Sequence, residues 1–422
     1  MSVPSPSDSL ADWLAWLEHL HPSEIDMGLE RVGRVADRLS IRPATMPVIL
    51  VGGTNGKGST VALLSDIYHH AGYKVGAYTS PHIDVFNERM CINSKMLEDK
   101  QIVQALHTIE AAREPESLTY FEYTTLAAMV AFEQADCDVA LLEVGLGGRL
   151  DATNLWDCDC AILTSIALDH QDYLGDTIEL IAAEKVAIGR PGKPLIIGEP
   201  NPPMNLLEIA NAQNMGVIRI DNDNLPQPAL AGMHQRRNAA CALEAVQALQ
   251  SKLPVESASI KAGLASVHVR GRFERMQIEN QLVVLDVAHN PAAAETVCDA
   301  LQGHYPDYRV LAVFSALKDK DIVGIVQALA PVVSSWYCAG LAVPRASVLS
   351  HLVNQIEQCQ NAPVRGYDSV ELAWQAAHDE AKNTADDQPT LILIAGSFYT
   401  LAHMRDLAAA GNATLASANN DS

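Results

Sequence analysis

Val48-Ile-Leu-Val-Gly-Gly-Thr-Asn-Gly-Lys-Gly-Ser-Thr60 is an apolar run that breaks at once into glycines, followed by a helical stretch, Val61–His70, that stops near Gly72. A strand, a Gly-rich turn and a helix in that order form a phosphate cradle. Glycines let the backbone curl so that successive N–H groups point inward. The helix that follows adds the positive end of its dipole. Thr54, Asn55, Gly56 and Gly58 form the curl, and Lys57 would reach the β- and γ-phosphates of a nucleotide held there. Ser59 or Thr60 offers a hydroxyl to Mg²⁺. The match to Gly-x-x-x-x-Gly-Lys-[Ser/Thr] is irregular, because Val51 holds the first glycine position and Gly58 is inserted after Lys57. By itself the loop allows a kinase, a switch or a motor.

Working outward, further apolar runs fall at Lys74–Thr79, Asp138–Val144, Cys160–Ile166 and Pro194–Gly198. Helical stretches alternate with them at Asp99–Ala112, Tyr123–Gln134 and Thr177–Ile188. Before the cradle, Leu10, Trp13, Leu14 and Leu17 make one helical stripe, ended by His21-Pro22. Strands alternating with helices predict a mostly parallel sheet covered on both faces. The pattern restarts after residue 270, with strands expected at Leu282–Val287, Arg309–Phe314, Ser334–Cys338 and Thr390–Ile394. The expected fold is α/β. An N-terminal P-loop-type parallel-sheet ATPase domain over 1–270 and a linker over 271–281 precede a smaller Rossmann-like α/β C-terminal domain over 282–422. The Ala/Asn/Ser-rich tail from Ala408 is expected to fray.

Composition narrows the function. The 422 residues are 48% hydrophobic and 19% charged, which suits folded domains and not disorder. The net charge of −22 repels nucleic acid and anionic membranes at long range, so an anionic ligand needs a local cluster of donors. No apolar run of about 18 residues and no signal peptide is evident. The eight Cys show no Cys-x-x-Cys or zinc spacing, so reduced thiols and a cytoplasmic protein are expected.

Three polar residues end three separate expected strands: Ser80 after Val75–Thr79, Glu143 after Val139–Leu142, and His170 beside Asp169 after Ala161–Ile166. The carboxyl ends of parallel strands line the ligand crevice. Hydroxyl, carboxylate and imidazole could therefore meet a triphosphate and its Mg²⁺ there. Each also has a plain structural reading, as a solvated strand end or a hydrogen-bonded His–Asp pair.

With these residues in place, the chain resembles the folylpolyglutamate synthase/dihydrofolate synthase family, a branch of the Mur-ligase-like amide ligases. The likeness rests on Gly53–Ser59, Thr79-Ser-Pro-His82, Phe86-Asn-Glu-Arg89, Phe121-Glu-Tyr-Thr124, Glu143–Asn154, Leu168-Asp-His170, Glu184-Lys185, His234–Asn238, Gly271-Arg-Phe-Glu274 and Asp286–Pro291, in the family's order. The resemblance implies ATP-dependent phosphorylation of a substrate carboxylate, then attack by the L-glutamate amine on the acyl phosphate. It implies Ser80, Glu143 and His170 as Mg²⁺ ligands, and catalytic roles for Lys57, Glu143, His170 and Lys185. Lys185 stands where the family carries a carbamylated lysine; read from the residues alone it is a helix-surface lysine. Asn238, Arg272 and Asp286 match ATP contacts, with Arg272 at the domain boundary. His289 either approaches the phosphates or orders its own loop. For the pteridine, the resemblance points to Ile25, Asp26 and Met27, to Thr119, Tyr120, Phe121 and Glu122, and to Leu150. An aromatic ring would stack on the pterin and a carboxylate would hold its amino-pyrimidine edge; core packing is the alternative for Phe121. Ser315–Lys318 are the guess for glutamate. The implied substrates are ATP, L-glutamate, dihydropteroate and reduced folates, turned over by a monomer. A Mur-type ligase acting on a nucleotide-linked precursor and a non-ligating nucleotide switch stay open as rivals.

Overall fold

Val48–Gly52 (β1) has no polar side chain, and such a strand is stable only where both faces of the sheet are covered. In the computed structural model it lies inside an eight-stranded sheet. Residues 3–23, 25–221, 224–383, 388–410 and 414–415 are described. The other strands of this sheet are β2 (Val75–Tyr78), β3 (Met90–Ile92), β4 (Lys95–Met96), β5 (Val139–Glu143), β6 (Cys160–Leu163), β7 (Pro194–Ile197) and β8 (Gly216–Arg219). Their order is β4-β3-β2-β5-β1-β6-β7-β8, parallel from β2 to β8, with β3 and β4 antiparallel at one edge. Val51 pairs with Glu143 and with Ile162, so β1, β5 and β6 end on one edge. The helices pack on this sheet through a core that includes Trp13, Leu50, Tyr78, Phe132 and Trp156.

The expected strands of this sheet are present, but two helices begin earlier than their apolar patterns. One runs Lys57–His70, so Lys57 to Thr60 form its first turn, with left-handed Gly56 (φ 88°) before it. Those residues are polar because they form a helix N-terminus, not because they are loop. The other runs Tyr120–Gln134, capped by Thr119, whose hydroxyl accepts from Glu122 N–H while the Glu122 side chain accepts from Thr119 N–H. The first helix closes at Leu17, short of His21-Pro22.

The chain divides into two compact units, Met1–Pro228 with Gln235–Val267, and Ala229–His234 with His268–Ser422. The second holds β9 (Glu274–Ile278), β10 (Gln281–Leu285), β11 (Arg309–Phe314), β12 (Val333–Ala339), β13 (Val364–Tyr367), β14 (Thr390–Ala395) and β15 (Thr414–Leu415), ordered β13-β12-β11-β14-β10-β9-β15. Residues 271–281, expected as a linker, instead contain β9 and its hairpin to β10. Glu279 (φ 48°) and Asn280 (φ 67°) form that turn, a backbone type usually marked by Asn-Gly. The tail is also more ordered than expected where it is described. The last helix runs Phe398–Ala410, and Thr414–Leu415 pairs with β9. Positions 411–413 and 416–422 lie outside the described residues.

Candidate active site

The glycine loop is held by the segment that follows β6. Ser165 O accepts from Thr54 N–H at 2.8 Å and Ser165 Oγ from Asn55 N–H at 2.9 Å. Thr164 Oγ1 donates to Asn55 O at 2.7 Å, and Thr54 Oγ1 accepts from Ala167 N–H at 3.0 Å. Gly53 has φ 135°, and a Cβ there would stand 2.0 Å from Thr164 Oγ1. This close approach is what the glycine is needed for. Lys57 Nζ donates to Gly53 O and Thr54 O at 3.1 and 3.0 Å. Thr60 Oγ1 donates to Gly56 O at 2.9 Å, so of the two hydroxyls Thr60's is tied into the helix.

Two further side chains reach the same loop. Lys185, only 5% exposed, donates from Nζ to Gly53 O at 3.0 Å. Burial, with the Lys57 charge nearby, pushes its amine down to about 7; Asp169 and Asp151 oppose the shift. Its helix, Ile178–Val186, can come this close because Gly148 has no side chain. A Cβ there would lie 2.7 Å from Glu184 O. From the helix Met233–Ala248, Gln235 Nε2 donates to Ser59 Oγ at 3.2 Å, and Asn238 Nδ2 donates to Gln235 Oε1 at 3.0 Å. A Cβ on Gly56 would meet Asn238 Oδ1 at 2.5 Å, so the amide lies on the loop.

The metal candidates are partly assembled. Glu143, 6% exposed, accepts from Ser80 N–H at 3.2 Å. Gly58 faces the same carboxylate, and a Cβ there would be 3.4 Å from Glu143 Oε2. His170 is on the loop after β6 in left-handed conformation (φ 51°), with Nε2 3.8 Å from Asp169 Oδ2. Among the described residues no three His, Cys, Asp or Glu side chains form a metal-holding group by themselves.

The pteridine candidates surround the loop that continues from Glu143. The Phe121 ring lies where a Cβ on Gly145 would be, 2.5 Å from it, and the ring is tilted against Tyr78 at 6.0 Å. Met27 Cε comes within 3.9 Å of the Cβ position of Gly147. Phe121 is half-buried: its ring meets this loop and also packs against the hydrophobic core. Tyr120 and Leu150 are half-buried and Ile25 is exposed. Glu122 is engaged twice, by Thr119 at the helix cap and by Arg31 Nε at 2.9 Å. Asp26 is held by Arg31, which bonds both its carboxylate and its carbonyl, and by His21 Nε2 at 3.2 Å. The fully buried Asp151 shapes the same loop, accepting from Leu146 N–H at 2.8 Å and Thr153 N–H at 3.0 Å.

In the second unit, Asp286 is buried and accepts from Phe273 N–H at 2.8 Å and Ala288 N–H at 3.0 Å, which fixes the turn carrying Arg272. Burial raises the Asp286 carboxyl, and the Arg272 charge opposes the rise. Phe398 lies beneath both Arg272 (5.6 Å) and His289 (6.0 Å). Ser315 Oγ, Thr400 Oγ1 and Ser397 Oγ form a hydroxyl chain of 2.5 and 2.7 Å at the ends of β11 and β14.

Residues 51–285 match the Mur ligase middle domain, and residues 271–398 match the Mur ligase glutamate ligase domain. The dihydrofolate synthase/folylpolyglutamate synthase of Escherichia coli is 42% identical over 96% of this chain and 97% of its own length. The Haemophilus influenzae protein of the same name is 36% identical over 93% and 96%. The chain belongs to the dihydrofolate synthase/folylpolyglutamate synthase family. Solved structures agree. E. coli FolC in complex with DHPP and ADP has a TM-score of 0.87 at 41% identity, covering 96% of this chain and 99% of that one. The Yersinia pestis bifunctional folylpolyglutamate synthase/dihydrofolate synthase with AMPPNP and Mn ion has 0.86 at 38%, with the same coverage.

Three neighbours of the candidate residues carried no expectation from sequence. Gln235 props Ser59, Arg31 joins Asp26 to Glu122, and Phe398 supports Arg272. Gln235 lay inside a quoted motif, three residues before Asn238 on one helix face, and that spacing was a usable signal. Arg31 and Phe398 had none, since Glu122 and Arg272 are distant from them in sequence.

Proposed function

We infer that this chain is an ATP-dependent ligase that joins L-glutamate to dihydropteroate and to reduced folates through an acyl phosphate. One observation carries the reading. Glu143 faces the phosphate loop at Gly58, and Gly145, two residues on, receives the Phe121 ring. A nucleotide grip and a flat aromatic wall therefore adjoin on one short segment.

The chemistry follows from the donors. A carboxylate is a poor electrophile and oxide a hopeless leaving group; transfer of a phosphoryl group from ATP cures both. The loop N–H groups and Lys57 hold the triphosphate. Glu143 and the Ser80 hydroxyl are hard oxygen donors, Gly58 leaves room beside the carboxylate, and with His170 they suit Mg²⁺. Bound there, Mg²⁺ would supply charge neutralisation for the phosphoryl group. Lys185, whose amine burial lowers to about 7, is the residue that would take up CO₂ as a carbamate. Thr54, Asn55, Asn238, Arg272, Asp286 and His289 serve ATP, and Met27, Phe121 and Leu150 serve the pteridine. Glu122 and Asp26 share Arg31, so their part is to shape the pteridine loop. We place the enzyme in the cytoplasm as a monomer. Free thiols at all eight cysteines fit a reducing compartment, and no helix among the described residues is long and apolar enough to cross a membrane.

The test is ADP release by purified protein given Mg-ATP, L-glutamate and either dihydropteroate or tetrahydrofolate. Turnover should require L-glutamate and one pteridine, and Glu143→Ala should abolish it with the thermal melt intact. No turnover with either pteridine would sink the reading; hydrolysis indifferent to L-glutamate would favour a switch.

A further inference from the structure

Arg89 closes the one-turn helix Phe86–Arg89 and leads into β3, whose Met90 pairs with Tyr78 at the end of β2. Its carbonyl accepts from Thr79 N–H at 2.9 Å, which sets it beside Ser80 at the crevice edge. The guanidinium is fixed by its surroundings. Nε donates to His82 Nδ1 at 2.9 Å, and the group lies 5.7 Å from the Phe86 ring centroid and 5.6 Å from that of Tyr120. His82 accepts that bond through a ring nitrogen, so it brings no negative charge to the guanidinium. The adjacent carboxylate is occupied elsewhere. Glu88 accepts from the N–H groups of Ile83, Asp84 and Val85 at 2.8 to 3.2 Å. Among the described residues neither Nη of Arg89 donates to a protein acceptor. The chain has 51 acidic against 29 basic residues, yet this half-buried guanidinium meets no carboxylate.

We propose that Arg89 is the carboxylate-binding subsite for the glutamyl tail of folate substrates, taking the tail carboxylate that is not being activated. The proposal rests on the reading that the acceptor lies between Phe121 and Ser80. Arg89 is placed for it, stacked on Tyr120 at the pteridine end and bonded through its backbone next to Ser80 at the phosphate end. A planar fork already aligned by two rings matches a carboxylate with little further ordering. The two acceptors differ at this point. Dihydropteroate has one carboxylate, which is the one activated. A folate carries a second on its terminal glutamate, and that spectator charge needs a cation in an otherwise acidic protein.

The experiment compares wild type, Arg89→Met and Arg89→Lys on dihydropteroate and on tetrahydrofolate. Arg89→Met should raise KM for tetrahydrofolate about 10- to 100-fold, as loss of a charge-assisted pair implies, with KM for dihydropteroate within about threefold. Arg89→Lys should fall between, since an ammonium keeps the charge and loses the fork. A substrate-side arm covers the case where Arg89→Met does not fold: tetrahydrofolate with its spectator carboxylate made an amide should lose the same factor on wild type. An equal loss on both acceptors in a folded Arg89→Met would show that Arg89 merely shapes the Ser80 loop, and would overturn the proposal. So would full activity of wild type on the amide. Absence of wild-type turnover on both pteridines would instead remove the proposed function beneath it.

Discussion

Lys185 belongs to Ala182-Ala-Glu-Lys185, a stretch that by pattern is an outward helix face, yet its Nζ is buried on Gly53 O. Burial disfavours the ammonium, and the nearby Lys57 disfavours it again. The consequence is chemical. Only the neutral amine attacks CO₂, giving R–NH–COO⁻ and a proton. Below pH 7 the amine is protonated and inert, and above it the neutral form prevails. Carbamate occupancy should therefore rise from pH 6 to pH 8 and with added bicarbonate, at a pH where an ordinary lysine near 10.4 would stay charged. A carbonyl resonance from ¹³C-bicarbonate, present at pH 8 and absent in Lys185→Ala, checks this. Small carboxylic acids should partly restore Lys185→Ala by standing in for the missing carboxylate. A pH 8 sample with no such resonance would leave Lys185 as an unmodified amine on the phosphate loop.

The strands were legible because each is a short apolar run bounded by turn residues, and β1, β2, β5, β6 and β7 fall where those runs fall. The helix starts were not, because the first turn of a helix that binds an anion is polar and Gly-rich, which reads as loop from sequence. The hairpins β3–β4 and β9–β10 were missed for a related reason: Asn93-Ser94 and Glu279-Asn280 are left-handed turns without glycine. Of the site, the residues at strand ends could be named individually, but their meeting depends on strand order. The register of Val51 with Glu143 shows it, and composition cannot. The helix Met233–Ala248 is the clearest case of a contribution made by an element. It delivers Gln235 to Ser59 and Asn238 to Gly56 from one face, one turn apart. Gln235→Ala should leave the helix intact, since alanine is the better helix former. It removes the prop on Ser59, so KM for ATP should rise about three- to tenfold, the equivalent of one neutral hydrogen bond. Steady-state kinetics at fixed Mg²⁺, with a thermal melt as control, decide it. An unchanged KM would mean that Ser59 holds its place through the backbone alone.

At the scale of the whole molecule the governing quantity is a net charge of −22, set against substrates that are all anions. Lys57 and Arg89 can attract only what has already arrived, and arrival takes place in a repulsive field. Salt shortens the reach of that field from about 30 Å at 0.01 M to about 8 Å at 0.15 M, while partly buried contacts are screened much less. Raising ionic strength over this range should therefore help encounter more than it weakens binding, the reverse of a basic protein that captures anions. The gain must grow with substrate charge. Dihydropteroate carries one carboxylate and a folate with an extended glutamyl tail carries several, so kcat/KM should increase with salt least for dihydropteroate and most for the longest tail. The measurement is kcat/KM against sodium chloride at constant free Mg²⁺ for dihydropteroate, tetrahydrofolate and a polyglutamylated tetrahydrofolate. A slope that becomes more negative with tail length would mean that a local basic track, and not the overall field, governs entry. In that case long tails would be drawn in along the protein surface, and the salt series would separate that mechanism from simple repulsion without any mutation.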